Sequence, residues 1–400
     1  MTRWSYMVTD ARTSTVLARD IPMSGVSFSD SLKGGGTFTG SYPANWKFAG
    51  SIHEGTRSYL LIYRLVWPMR DGQPMGCYMI TGYPSTDFES PLQQVQGSRV
   101  DFILDHRLIR QTLNFIDVDQ CDIFRDLVNY GLGRNTVHST PIVPPDHTAN
   151  QIPWIRLDSK LSGVIRTRQE TTGNTDDGYP AAARKVVGTC LKQLTELSDT
   201  AARTSGPEYR LEYAMDNADP TSTTYGLPYV KIVQGYPAVG YSRDDLAKPV
   251  FEYPGGNIIS LKYGVDGTTL VNRADVTGQE KEGVKPIGTA TLQYVIDDGF
   301  PLWEGTWSES SVQDVAVLNQ KADGQLDTGT ESWSITLDGN RKPGFGSYGL
   351  GDYAWLRVKR QGVRIPDVTV RITGWSVSVD DSGVAETVTP TVEQVWLPNV

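Results

Sequence analysis

The chain has 400 residues and a formal net charge of −9 at pH 7, with 40 glycines and 23 prolines. That length suffices for roughly two to four domains with sizeable cores. The negative charge argues against tight binding to nucleic acid or anionic membranes, which requires basic patches. No run of about 18 apolar residues occurs, so the sequence predicts no membrane-spanning segment.

The N-terminus and the cysteines indicate where the protein is made. Residues 1–3 lead directly into a strand pattern that begins at Trp4, without the apolar core of a signal peptide. The cysteines are odd in number and scattered, which predicts buried or idle thiols made in a reducing cytoplasm rather than a disulfide framework; they are Cys77, Cys121 and Cys190.

Residues 1–110 have a β pattern throughout. Strands at 4–8 and 15–19 predict a first hairpin, and Arg70-Asp71-Gly72 between apolar runs predicts a second, because Asp-Gly favours tight hairpin turns. The other predicted strands are 26–28, 36–39, 59–67, 75–81 and 98–104. We predict a first antiparallel barrel or sandwich over 1–110.

Residues 111–205 form a predicted α/β insert. Asp119 can cap a helix that ends near Gly131, with Ile123, Phe124, Leu127 and Val128 on one face. A long polar, proline-rich loop follows over 134–180, with a strand at 162–168. The strongest helical pattern covers 181–203; its apolar positions are Val187, Cys190, Leu191, Leu194, Leu197 and Ala201.

Two strands at 208–213 and 229–233 place residues 206–240 with a second barrel. Residues 241–330 predict a mixed α/β insert with strands at 258–263 and 289–295 and a short helix or strand near Leu270. A helix is predicted over 311–326, with inward positions at Val312, Val315, Ala316 and Leu318.

Residues 331–400 predict a second antiparallel barrel, built from a meander. Strands are expected at 332–337, 353–359 and 368–379, with a turn at Gln361-Gly362 and a last strand after the 380–383 hairpin loop. The alternation changes phase at Thr373-Gly374, which predicts a β-bulge. The predicted fold class is therefore mainly β with α+β inserts, in which two small antiparallel β-barrels are joined by mixed segments.

Several residue sets could suggest chemistry, but each has a simpler structural explanation. The sequence Gly344-Phe345-Gly346-Ser347-Tyr348-Gly349 matches a dinucleotide fingerprint, yet it leads into a strand instead of a helix. Helix capping accounts for Asp119 and Asp122 better than a catalytic or calcium-binding cluster with Asp117. Asp297-Asp298 suits a turn, and the histidines lack metal-ligand spacing; they are His53, His106, His138 and His147. We therefore predict no catalytic residue, no metal and no cofactor.

Aromatic residues near strands leave one alternative open. Exposed indole rings can form a platform for sugars, although such rings lie more often in cores or subunit interfaces. The candidates are Trp46, Trp67, Trp154 and Trp303.

Several segments together resemble a known family, in the order in which they occur. They are the N-terminal hairpin with Trp4 and Asp10; Arg70-Asp71-Gly72 with Gly76-Cys77-Tyr78-Met79-Ile80; the helical pattern at 181–202 with Gly206-Pro207-Glu208-Tyr209; Phe251-Glu252-Tyr253-Pro254-Gly255-Gly256-Asn257-Ile258; Leu270-Val271-Asn272-Arg273; and Gly351-Asp352-Tyr353-Ala354-Trp355 with Arg371-Ile372-Thr373-Gly374. The family is that of the baseplate-hub or minor tail proteins of long-tailed bacteriophages, especially those of actinobacteria. Its relatives include the N-terminal portion of tail-associated lysins and the hub of contractile tails.

The resemblance implies a structural virion protein. Members of this family form trimers at the distal end of the tail tube, where two similar barrels per subunit make a pseudo-sixfold ring. The implied location is the tail tip of a virion, after synthesis in the host cytoplasm. The implied partners are two further copies, the distal tail protein, the tape measure protein and tip or receptor-binding proteins, with DNA present only in transit.

Two other functions stay open from the sequence: a distal tail ring protein, and a carbohydrate-binding or glycan-degrading tail-tip protein. The chain ends within about ten residues of its last predicted strand, where longer relatives continue into an enzymatic or receptor-binding region, so we expect no enzyme activity. We expect the loop at 134–180 to pack on a neighbouring virion protein or subunit.

Overall fold

The computed structural model is a mainly β chain with mixed α/β inserts, which confirms the predicted fold class. It describes residues 3–32, 34–47, 64–84, 89–142, 152–169, 178–199, 204–240, 248–280, 283–310, 312–327, 330–359 and 368–394. Among these residues no helix has the length and apolarity needed to cross a membrane.

The described chain contains 24 strands and four α-helices. Strands β1 to β12 are Trp4–Asp10, Val16–Ala18, Ser24–Ser31, Thr37–Pro43, Arg64–Arg70, Gln73–Pro74, Tyr78–Gly82, Leu92–Arg99, Phe115–Asp119, Ile155–Leu157, Ile165–Arg168 and Ser198–Asp199. Strands β13 to β24 are Thr204–Ser205, Glu208–Met215, Pro228–Gly235, Val250–Tyr253, Ile258–Asp266, Arg273–Thr277, Ile287–Thr291, Glu304–Ser308, Thr330–Asp338, Tyr353–Val358, Val368–Val379 and Glu386–Gln394. Helices α1 to α4 are Gln120–Gly131, Val187–Thr195, Gln293–Asp297 and Val315–Asp323.

Strands from both ends of the chain belong to one sheet of 14 strands. Its main order is β17-β21-β24-β23-β3-β4-β8-β7-β5-β1-β2, and β6, β16 and β22 attach beside this path. The connection between the ends is the antiparallel pair β3–β23, in which Phe28 lies opposite Val377. The described strands of 1–110 and 331–400 are thus joined at β3–β23 instead of closing into two separate barrels, and the five-segment division stays a prediction.

The predicted hairpins and the predicted bulge are confirmed. Asp71 and Gly72 have φ of +51° and +78°, the conformation of a two-residue turn that matches strand twist. In the β23–β24 pair, Ile372 lies opposite Val392 and Gly374 opposite Thr391, so Thr373 is the extra residue. The predicted turn at 361–362 and the predicted strand residues 59–63 lie outside the described residues.

The helix predicted after Asp119 is confirmed, whereas the one predicted over 181–203 is shorter. Arg184 has φ of +48° and separates a short 3-10 turn at Ala181–Ala183 from α2, which begins at Val187. The apolar positions 187, 190, 191 and 194 are buried as the pattern predicted. Residues 200–203 lie outside the described part of the chain.

Three further predictions are wrong in part. Residues 100–106 form a 3-10 helix instead of continuing a strand, because Val100 and Leu104 are buried at helical spacing. The strand predicted over 289–295 ends at Thr291 and α3 follows, and Leu270 lies beside a turn closed by its N–H to the Gly267 carbonyl. Helix α4 begins only at Val315, because Asp314 caps it.

The chain divides into two compact units, and the division falls within β17 and β21. The first comprises Met1–Leu197, Ser205–Ser260 and Ile335–Val400, with an apolar core contributed by β1, β5, α1, α2, β14 and β15. The second comprises Ser198–Thr204 and Leu261–Ser334. Its three-stranded sheet, in the order β19-β18-β20, packs with α4 around Ala274, Val276, Leu318 and Ala322.

Candidate functional site

The three aspartates near α1 serve local structure separately. Asp119 caps the helix by accepting the Cys121 N–H at 2.8 Å, and it also accepts the Ser162 and Gly163 N–H groups. Burial raises the pKa of Asp119, but these hydrogen bonds outweigh burial and hold it below its ordinary value. Asp122 forms an ion pair with Arg125, whereas Asp117 accepts the hydroxyl of Thr167. The structure does not bring the three carboxylates to one point.

The side chain of His138, from the loop after α1, lies between two carboxylates of that helix. Its Nδ1 is 3.6 Å from Oδ1 of Asp126, and its Nε2 is 3.5 Å from Oδ1 of Asp122. Asp126 is fully buried and accepts the backbone N–H groups of residues 137, 138 and 139. This carboxylate therefore anchors the start of the long polar loop on α1, and His138 closes over it.

The described residues contain no group of three or more His, Cys, Asp and Glu arranged to hold a metal. His106 packs edge-on against Phe102, with the ring centroids 4.5 Å apart. His53 and His147 lie outside the described residues.

The glycine sequence at 344–349 forms a loop that leads into β22, as the sequence predicted. Phe345 from this loop is buried and stacks near Trp4, with ring centroids 6.4 Å apart. The Gly349 N–H donates to Asp352 at 2.7 Å, which fixes the end of the loop before the strand. The loop thus covers the core beneath Trp4, and a helix does not follow it.

The candidate tryptophans have different environments. Trp67 and Trp154 are buried, and their indole N–H groups donate to the Thr9 hydroxyl and the Ala11 carbonyl. Trp46 is partly buried, whereas Trp303 is 53% exposed. Of the four, only Trp303 is exposed.

All three cysteines are buried free thiols, as predicted. Burial raises the pKa of Cys121 to about 12 and that of Cys190 to about 11, and it raises the pKa of Cys77 well above its ordinary value. Such thiols are unreactive at neutral pH.

A buried charged network connects three strands of the first unit. Arg99 on β8 forms an ion pair with Asp30 on β3, and its Nε and Nη2 donate to Asp101 at 2.8 and 2.6 Å. Tyr213 on β14 donates its hydroxyl to Asp30 at 2.7 Å. Burial raises the pKa of Asp30 despite these partners. Since the guanidinium already binds two carboxylates and the Ser31 carbonyl, this network serves to hold β3, β8 and β14 together.

The neighbouring cleft of about 530 Å³ is lined by both charges and glycines, among them Gly34, Arg99, Asp101 and Lys192. Arg99 and Asp101 in this lining bind each other, and Lys192 pairs with Glu196 at 3.9 Å, so four of the charged groups in the wall have partners within the protein.

A second buried charged network connects strands from the two ends of the chain. The fully buried Glu386 carboxylate on β24 accepts the Trp4 indole N–H at 2.6 Å. Arg70 at the end of β5 donates Nε and Nη2 to the same carboxylate, at 3.0 and 2.7 Å. The backbone contributes as well, since the Trp4 N–H donates to the Gly383 carbonyl at 2.9 Å. We call Trp4, Arg70 and Glu386 the terminal clamp.

The central hairpin β14–β15 is fastened to the C-terminal strands in a similar way. Arg371 on β23 makes a two-pronged ion pair with Glu208, which also accepts the Val239 N–H. Arg210 donates to Asp352 at 3.1 Å and to the Leu350 carbonyl at 2.7 Å. Sequence reasoning missed these pairs because their members are 140 or more residues apart; only their charge could have marked them.

Comparisons with known proteins identify the fold. No protein-family model matches the chain, and no curated protein matches it. Among solved structures, a tail protein from Neisseria meningitidis aligns with a TM-score of 0.52 at 14% identity, over 97% of both chains. The 43 kDa tail protein of prophage MuSo2 from Shewanella oneidensis aligns with a TM-score of 0.52 at 12% identity, over 97% of this chain and 98% of that one.

A chain of the Francisella PdpA–VgrG complex has the same TM-score, 0.52, at 9% identity, over all of this chain and 60% of that one. At these identities the likeness establishes the fold alone. The chain therefore has the fold of phage tail proteins, extending over nearly its whole length.

Proposed function

We propose that this chain is a structural protein of a bacteriophage tail, and more specifically the trimeric hub at the distal tip. The observation that carries the proposal is the fold match to two tail proteins over 97% or more of each chain. A match of that extent supports a role for the whole chain in the tail. The motifs at Arg70-Asp71-Gly72 and 371–374, on which the family resemblance rests, lie at ordered positions of the same sheet.

In this proposal three copies form a ring in which the N-terminal and C-terminal β regions act as two similar units per subunit. The terminal clamp and the β3–β23 pair would hold these regions in a fixed relation, which a permanent ring requires. The ring would join the tail tube to tip and receptor-binding proteins, and would surround the channel for DNA. With a net charge of −9, an acidic wall would repel phosphates and let DNA slide.

The first test is the mass of the assembled protein. Native mass spectrometry should give three times the chain mass of 44.1 kDa, and a reconstruction of the tail tip should place three copies around the channel. Six copies around the axis, or a single copy in the tip, would contradict the trimeric hub.

The second test concerns chemistry. The protein should leave host cell-wall polymer and common glycans intact. Turnover that disappeared in Asp119→Asn or Asp122→Asn would instead support the glycan-degrading alternative.

A further inference from the structure

Among the residues that the structure describes, the sheet of the second unit has an open edge. Strand β20 is the last strand of the order β19-β18-β20, and it pairs with β18 in parallel, Thr306 opposite Asp275. The Trp303 carbonyl accepts the Asn272 N–H at 3.0 Å, and the Glu309 N–H donates to the Thr277 carbonyl at 2.8 Å. Since successive residues of a strand direct their backbone groups to opposite sides, the odd-numbered residues face β18. The backbone groups of Glu304, Thr306 and Ser308 therefore point outward along the edge.

An aromatic patch lies directly before this edge in the chain. Three aromatic residues and one leucine are 46–60% exposed and lie within ten residues of one another in the chain; they are Tyr294, Phe300, Leu302 and Trp303. Fully buried Asn272 fixes the segment that carries them. Its side chain donates to the Pro301 carbonyl at 2.8 Å and accepts the Trp303 N–H at 2.7 Å, while its carbonyl accepts the Leu292 N–H. The patch is thus held in place before any partner arrives, which lowers the cost of binding.

The surroundings of the patch are acidic. Residues 286–320 contain five carboxylates and no lysine or arginine; the five are Asp297, Asp298, Glu304, Glu309 and Asp314. Lys285 and Lys321 flank this segment, and Lys321 forms an ion pair with Glu309 at 3.2 Å, which leaves Asp297, Asp298, Glu304 and Asp314 as the acidic groups next to the patch. Residues 261–334 carry 12 acidic and 5 basic residues, so this unit holds most of the chain's net charge of −9. Arg273 contacts Glu304 only at 3.7 Å, and this pair is exposed, so it neutralises little. A positively charged segment would be complementary to these acidic surroundings.

One face of β20 is polar and exposed, and the other is apolar. Glu304, Thr306 and Ser308 are exposed on the outer face, whereas Trp307 faces α4 and packs on the small core. A strand added beside β20 would therefore meet the Glu304 carboxylate and the hydroxyls of Thr306 and Ser308 on one face, and the Trp307 ring on the other. An added strand in which basic and apolar side chains alternate would be complementary to both faces.

We propose that β20 and the aromatic patch bind an extended, basic segment of another protein, which adds to the sheet as a further strand. Backbone hydrogen bonds to 304, 306 and 308 would supply the register, and the patch would bury the apolar side chains. This proposal does not depend on the ring, since the surface lies wholly within the second unit.

The test uses the full chain and a fluorescein-labelled peptide of alternating lysine and valine. Fluorescence anisotropy should detect binding that weakens as salt is raised. Thr306→Pro should weaken it about tenfold, because proline removes an outward N–H at an edge position that tolerates it. Thr306→Ser, which keeps the N–H, should bind as the parent does. Trp303→Ala should also lose about tenfold through the patch.

A charge exchange keeps the result decisive even if Thr306→Pro folds poorly. Glu304→Lys should weaken binding of the lysine peptide and strengthen binding of a matched glutamate–valine peptide. Equal binding of both peptides to the parent, or no binding of the lysine peptide at millimolar concentration, would overturn the proposal. Tryptophan quenching by chitin oligosaccharides that Trp303→Ala abolishes, without peptide binding, would assign the patch to glycans and overturn it as well.

Discussion

At the scale of single residues, Glu386 shows how a buried carboxylate can hold distant parts of a chain together. The side chain has no contact with solvent, and three N–H groups from Trp4 and Arg70 donate to it. A buried ion pair adds little when compared with apolar packing, but removing one partner leaves the other charge without compensation. Truncating one side chain of the terminal clamp should therefore destabilise the folded protein.

We expect Glu386→Ala to lower the free energy of unfolding by about 3–5 kcal/mol, the usual cost of breaking a buried pair. The Arg70 guanidinium and the Trp4 indole N–H would both lose their carboxylate. Urea unfolding followed by tryptophan fluorescence measures the change.

The control is Glu196→Ala, because Glu196 is 56% exposed and contacts Lys192 at 3.9 Å one helical turn away. Such a pair contributes roughly 0–1 kcal/mol. Similar losses in the two variants would mean that the clamp is no more than a surface ion pair.

At the scale of elements, local sequence patterns gave correct results where the cause of the structure is local. Asp119 caps α1 by accepting the N–H of Cys121, two residues further on, and the phase change at Thr373 is visible in the alternation itself. The pattern failed where a conformation depends on distant contacts. Arg184 adopts φ of +48° near the start of a helical pattern, and its guanidinium donates to the Arg110 carbonyl, 74 residues away.

The candidate surfaces were predicted less well than the elements, because they are produced by pairing between distant segments. Trp303 was recognised as a candidate aromatic residue, but its exposure beside an open edge follows from the β18–β20 pair. Glu386 carried no local signal at all, since its partners lie 316 and 382 residues away.

Two facing glycines fix the approach of the β14–β15 hairpin to the C-terminal strands. Gly240 and Gly351 have φ of +115° and +86°, and a Cβ on Gly351 would lie 2.2 Å from the Val239 carbonyl oxygen. The backbones could not come this close with any side chain between them. The Arg371–Glu208 pair lies at the same contact, since Arg371 also donates to the Val239 carbonyl at 3.1 Å.

Gly351→Ala should therefore cost more than the conformational penalty alone. We expect a loss of unfolding free energy well above the roughly 1–2 kcal/mol that a left-handed residue costs an L-amino acid. Gly72→Ala is the matched control, because Gly72 has φ of +78° but no atom within 4 Å of its added Cβ. Chemical denaturation of both variants separates the steric clash from the φ penalty, and equal losses would show that the close approach is unimportant.

At the scale of the whole molecule, the order of strands explains why the architecture could not be read from the sequence. The pair β3–β23 joins residues more than 340 positions apart, and neither strand differs locally from its neighbours. Net charge is also distributed unevenly, since the second unit carries 13 of the 46 acidic residues but only 6 of the 37 basic ones. The uneven distribution of charge is present in the sequence, but it can be assigned to one unit only when the unit boundaries are known.

The two units should differ greatly in stability, because their cores differ in size. The first unit buries a continuous cluster around β1, β5, α1 and α2, whereas the described residues of the second unit form a cluster of four buried apolar residues, of which Leu318 is the largest. Leu→Ala in a core typically costs about 2–5 kcal/mol, which can exceed what so small a core supplies. Leu318→Ala should therefore open the second unit while the first stays folded.

Hydrogen exchange measured by mass spectrometry tests this expectation directly. Peptides covering β18, β19 and β20 should exchange much faster in Leu318→Ala, and peptides covering β1, β5 and α1 should keep the parent rate. Val317→Ala is the control, because the neighbouring Val317 is 38% exposed and its methyl groups add little to the core. If every peptide accelerated equally, the chain would unfold as one cooperative body. The open edge at β20 would then share the stability of the large sheet instead of depending on Leu318.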